Sequence, residues 1–168
     1  MDSLKKEVQS TKEKVELNYE IDEKAHNIII FKLQESTEIK YDEFRKIELE
    51  NILHIFQTVT KEGIVKDDIS NFFRLGKKDG SIRPLLIKFK TKTIRNMIMD
   101  NLSNFGNLDG IFKNILIGYD LTSNQREECK KLSIAGKEKE NSENGEFIYR
   151  VRGKPGNFRL VKLRKRVG

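Results

Sequence analysis

Cysteine is nearly missing from this chain, and histidine is scarce. The one cysteine, Cys129, cannot form an internal disulfide, which fits a reducing compartment. It falls within a helical pattern, where a packed thiol is the plainer role. His26 and His54 are the only imidazoles, far apart and with no cysteine or carboxylate cluster at metal-ligand spacing. Neither a metal nor any other cofactor is expected. Asp67 and Asp68 are adjacent, so along a strand they point to opposite faces. No nucleophile–histidine–carboxylate set is present, so neither catalysis nor a small-molecule substrate is expected. Long apolar runs are also lacking. Nothing approaches the roughly 18 residues of a membrane span, and no secretory leader is expected.

Charge is abundant: Lys, Arg, Asp and Glu make up 35% of the residues, and the net charge is +7. From Ile148 to Gly168 there are eight cations and no acid: Arg150, Arg152, Lys154, Arg159, Lys162, Arg164, Lys165 and Arg166. The other 147 residues then sum to −1. A basic end of this kind suits nucleic acid or an anionic membrane surface. The membrane alternative needs an amphipathic helix with bulky apolar residues, and the glycines and Pro155 of this segment argue against one. A second group of cations surrounds "FRLGKKDGSIRPLLIKFKT" (73–91). Arg74 precedes the loop, Lys77, Lys78 and Arg83 lie in it, and Lys88 and Lys90 follow. A phosphate-cradling nucleotide loop would need Gly-Lys-Ser/Thr ahead of a helix, whereas Gly80 is followed by Ser81 and a strand pattern. These cations suit a polyanion backbone; solvated charges between two strands are the bland alternative.

The segment order predicts an α+β chain in three parts. Residues 1–25 read as a polar helix. Leu4, Val8, Thr11, Val15, Asn18, Asp22 and Ala25 follow alternating three- and four-residue steps, a heptad seam that weakens after Val15. The end of a longer coiled coil, self-associating through residues 4–25, and a solvated helix fit it equally. Residues 26–121 give strands over 27–35, 68–76, 83–90 and 115–121, with helices over 42–59, closed by Gly63, and over 92–104. That order, β-α-β-β-α-β, is ferredoxin-like and points to an RNA-recognition-like domain, with the first and third strands central. Both helices cover one face and leave the other open. Residues 122–168 give a helix capped by Thr122 or Ser123 and a basic hairpin turning at "GKPG" (153–156). Alternation in that hairpin sends Tyr149 and Val151 to one face and Arg150 and Arg152 to the other.

In an RNA-recognition fold, aromatic residues on the two central strands stack bases. Here the corresponding positions hold Ile29, Pro84 and Leu86. Nucleic-acid binding must then lean on cations. The competing reading is a protein-interaction module on the same fold.

A heptad helix, "NIIIFKLQE", "FFRLGKKDGSIRPLLIKFKT", "ILIGYDLTSNQREECKKL" and "FIYRVRGKPGNFRLVKLRKR", in that order, resemble the first-open-reading-frame RNA-binding protein of LINE-type (non-LTR) retrotransposons in its insect-like form. The resemblance covers about residues 20–166. The tail also resembles the C-terminal part of baculovirus few-polyhedra proteins. The resemblance implies a coiled-coil oligomer that coats single-stranded RNA, with single-stranded DNA as an alternative, and acts as a nucleic-acid chaperone. It implies a cytoplasmic ribonucleoprotein, with the nucleus as an alternative location. By position it implies phosphate contacts for Arg83, Arg126, Arg150, Arg152 and Arg159. Reverse transcriptase and endonuclease chemistry would lie on another polypeptide. The N-terminal helix is shorter than the family pattern.

Overall fold

A computed structural model describes residues 1–166 and divides the chain into two compact units, Met1–Asp120 and Leu121–Gly168. The fold is mixed α+β. The first unit runs α1 (Asp2–Lys24), β1 (Asn27–Phe31), α2 (Tyr41–Thr60), β2 (Ile69–Arg74), β3 (Leu85–Phe89), α3 (Lys92–Asp100) and β4 (Leu116–Tyr119). Its four strands form one antiparallel sheet in the order β2-β3-β1-β4.

Period-two alternation sets the core. Ile28 and Ile30 of β1 and Leu85, Ile87 and Phe89 of β3 are buried on one side of the sheet. The same cluster takes Ile52, Ile55, Phe56 and Val59 of α2, spaced for one helical face, and Ile98 of α3. Each such side chain contributes about 1.5–3 kcal/mol on burial.

Most element ends shift by one or two residues from the sequence expectation, and three of the differences have a visible cause. The first strand stops at Phe31 rather than 35, where Lys32 adopts a left-handed φ of 64°. The C-cap of α2 is Lys61 and not Gly63; its N–H still donates to the Gln57 carbonyl, and its left-handed φ of 56° then turns the chain out of the helix. The helix read as 92–104 ends at Asp100. There the Asn101 side chain donates to the Met97 carbonyl at 2.7 Å, and 3₁₀ turns follow over Leu102–Asn107.

No residue of α1 is buried. Its last turn is held by three ion pairs: Asp22 with Lys92, Glu23 with Lys88, and Lys24 with Asp120 at 3.7 Å. Leu4, Val8 and Val15 stay exposed. The seam position at Asp22 is thus taken by an intramolecular contact.

In the second unit, Thr122 caps α4 (Ser123–Ser142). Its hydroxyl accepts the Gln125 N–H, and the Gln125 side chain accepts the Thr122 N–H. Strands β5 (Phe147–Lys154) and β6 (Asn157–Arg164) form an antiparallel hairpin around Pro155 and Gly156. Gly156 has a φ of 85°, as the second central residue of a type II turn requires. Helix α4 lies close on the hairpin at Gly136, where a Cβ would sit 3.0 Å from Leu160 Cδ1 and 3.1 Å from Tyr149 Cβ.

Candidate nucleic-acid interface

The hairpin register sorts its cations by face. Lys154 pairs with Asn157, Arg152 with Arg159, Arg150 with Val161, Tyr149 with Lys162 and Phe147 with Arg164. Cross-strand partners share a face and alternate residues change face. Tyr149 and Leu160 pack on α4 at Gly136, so the helix side holds Tyr149, Val151, Leu160, Lys162 and Arg164. The opposite side holds Arg150, Arg152, Lys154 and Arg159, all exposed. Arg150, Arg152 and Lys154 follow one another at about 6.8 Å, two residues of strand rise. Arg159 stands directly across from Arg152.

That last pair is the informative one. Like charges directly opposite each other destabilise a strand pair. Among the described residues, neither Arg152 nor Arg159 has an acidic partner. Arg152 Nη1 only donates to the Val151 carbonyl at 3.0 Å. Arg150 differs, because Glu140 of α4 accepts from its Nη1 at 3.0 Å and also from the Tyr149 N–H at 2.6 Å.

On the helix side, Lys162 is tied down. Glu143 accepts from Lys162 Nζ at 3.0 Å and from the Tyr149 hydroxyl at 2.7 Å, and Nζ lies 4.1 Å from the Phe147 ring centre. The Tyr149 hydroxyl, and then Lys162, hold the Glu143 carboxyl below the usual carboxylate range. Glu143 in turn raises the pKa of both Tyr149 and Lys162. Lys162 and Arg164 therefore do not join the row of four.

The cations around 73–91 are mostly committed elsewhere. Arg74 leaves the candidate set. Its side chain is 2% exposed and its partner Glu48 1%. Nε and Nη2 grip the two Glu48 oxygens at 2.8 and 2.7 Å, and the remaining bonds go to the carbonyls of Leu33, Gln34 and Arg83. No face of the guanidinium remains for a phosphate. Arg83 binds both Glu35 oxygens at 3.0 and 2.8 Å, which holds that carboxyl below its ordinary range. Lys88 pairs with Glu23. Lys77 and Lys78 are exposed and carry no ion pair among the described residues. In the second unit, Arg126 folds back on its own helix start, donating to the Leu121 carbonyl at 2.7 Å and the Ser123 hydroxyl at 3.2 Å.

The charge balance agrees with this sorting. Residues 1–120 carry twenty cations and twenty acids, so the whole +7 belongs to residues 121–168, with thirteen cations and six acids. Two side chains that the sequence reading passed over, Phe31 and Phe73, stand exposed on the sheet. Among the described residues no group of three or more His, Cys, Asp or Glu could hold a metal ion, and no helix is long and apolar enough to cross a membrane. Compared with known proteins, the chain matches no family model and no curated sequence.

Proposed function

We propose that this chain binds single-stranded nucleic acid, RNA in the first instance, through phosphate contacts of the C-terminal hairpin. The observation that carries the reading is the opposed pair Arg152 and Arg159, two exposed cations held together without an acid among the described residues. Such an arrangement costs stability when empty and is relieved by an anion between the two. Arg150 and Lys154 extend it along β5. The strand order and the helix following β1 and β3 support reading the first unit as a ferredoxin-like, RNA-recognition-like domain. The resemblance to LINE-type first-open-reading-frame proteins supports a coating and chaperone role in a ribonucleoprotein, without catalysis by this polypeptide.

The test is a gel shift with labelled single-stranded RNA over a salt series. Neutralising about five phosphates gives a log–log slope near −3.5, at roughly −0.7 per contact. Going from about 50 to 200 mM salt then weakens binding by about two orders of magnitude. Replacing Arg150, Arg152 and Arg159 together by Ala lowers the slope by about two units, for all sequences alike, since phosphate contacts carry no base information. Unchanged affinity and slope in that variant would remove the hairpin and favour the protein-interaction reading.

A further inference from the structure

The sheet of the first unit has a second side. Its register aligns Phe73 with Leu86, Leu86 with Ile29 and Ile29 with Gly118, one row across all four strands. The next row pairs Phe31 with Leu116. Leu86 is buried, but Phe73 is 46% exposed, Phe31 38% and Leu116 53%. The Phe31 ring reaches over Gly118, where an added Cβ would lie 3.5 Å from Phe31 Cε2. A single exposed apolar residue needs no explanation. Two half-exposed phenylalanines on one face of one sheet, beside a glycine that keeps the surface low, form a platform. The positions that match the stacking residues of an RNA-recognition fold are Ile29, Pro84 and Leu86. Aromatic rings stand instead one strand outward from Leu86, at Phe73, and two residues along from Ile29, at Phe31.

We propose that Phe73 and Phe31 are stacking sites for unpaired bases, a second contact distinct from the phosphate grip of the hairpin. The inference rests on the nucleic-acid reading above. Two strand spacings of about 4.8 Å and a two-residue step of about 6.8 Å put the two positions roughly 12 Å apart. They therefore serve two different bases and not two faces of one. A protein partner is the poorer fit. Six residues make up this patch, whereas a stable protein interface uses about 20–30 residues a side. Lys88, two residues from Leu86 on the same face, is paired with Glu23, so what this face chiefly offers a nucleic acid is ring surface.

The chain contains no tryptophan, so Phe73→Trp and Phe31→Trp each introduce a sole indole. Each is titrated with a 20-nucleotide single-stranded RNA and with an abasic strand of the same length. The expected result is quenching at both positions by the base-bearing strand and none by the abasic one. The double variant Phe31→Leu/Phe73→Leu, apolar and foldable, should lose roughly tenfold in affinity per ring. Its salt slope should stay unchanged, because stacking releases no counterions. If the RNA binds with the expected slope but quenches neither indole, or the abasic strand quenches equally, the stacking sites are refuted and the phosphate grip stands. Normal affinity of the Leu double variant also refutes them and returns this face to a protein partner. If the RNA does not bind the unaltered chain, both readings fall together.

Discussion

Replacing Arg74 by Met removes five hydrogen bonds at once and leaves the Glu48 carboxylate 1% exposed without a donor among the described residues. The methionine fills similar volume, so the loss is electrostatic and not a cavity. Breaking a buried ion pair on one side typically costs about 3–5 kcal/mol, because the surviving charge stays desolvated. Against a total stability of about 5–15 kcal/mol, that is about a fifth of the total or more. At a urea slope of about 1.5 kcal/mol per molar, the unfolding midpoint falls by about 2–3 M. Far-UV circular dichroism during urea titration measures it. The double variant Arg74→Met/Glu48→Leu removes both charges and should regain most of the loss, since apolar replacement of a buried pair is often neutral. A shift below about 0.5 M in the single variant, or additive damage in the double one, would refute the account of Arg74 as a buried strut. RNA affinity of the double variant should match that of the parent.

Two further outcomes are expected. The Glu143 carboxyl is held below its ordinary pKa, so it contributes stability above the unfolded carboxylate value of about 4.3 that is lost as pH falls through the lower folded value. Thermal melts between about pH 5 and 2.5 should show this loss, and Glu143→Gln should flatten it; an unchanged profile would remove the Glu143–Tyr149–Lys162 cluster from the acid response. Sedimentation at tens of micromolar should find the whole chain self-associated through Leu4, Val8, Thr11 and Val15, and a chain starting at Ala25 monomeric; two monomers would make α1 a solvated helix.

Much of the sheet unit was legible because β-branched and apolar runs such as "NIIIF" and "LLIKF" mark buried strands whatever surrounds them. Arg74 was not. Its sequence neighbours show only a cation beside a basic loop, while Glu48 lies 26 residues away on α2 and meets it only when α2 packs on the sheet. The cap at Lys61 was missed because glycine adopts a left-handed φ far more readily than lysine, and Gly63 stood nearby. The sorting of hairpin cations was within reach of the sequence. Once Pro155 and Gly156 are taken as the two-residue loop, counting outward places Arg159 opposite Arg152 and Lys162 opposite Tyr149. Phe31 and Phe73 escaped notice because their exposure depends on where β1 ends and on which strand lies at the edge.

The opposed arginines of the hairpin set two properties of the molecule against each other. Exchanging either Arg152 or Arg159 for a neutral or acidic residue relieves repulsion in the empty hairpin and makes it sturdier. On the proposed reading, the same exchange removes a cation from the row that would meet phosphates. If the proposed reading holds, endurance of the free protein and grip on a polyanion cannot be improved together at this one cross-strand position, and a hairpin tuned for one is second best at the other.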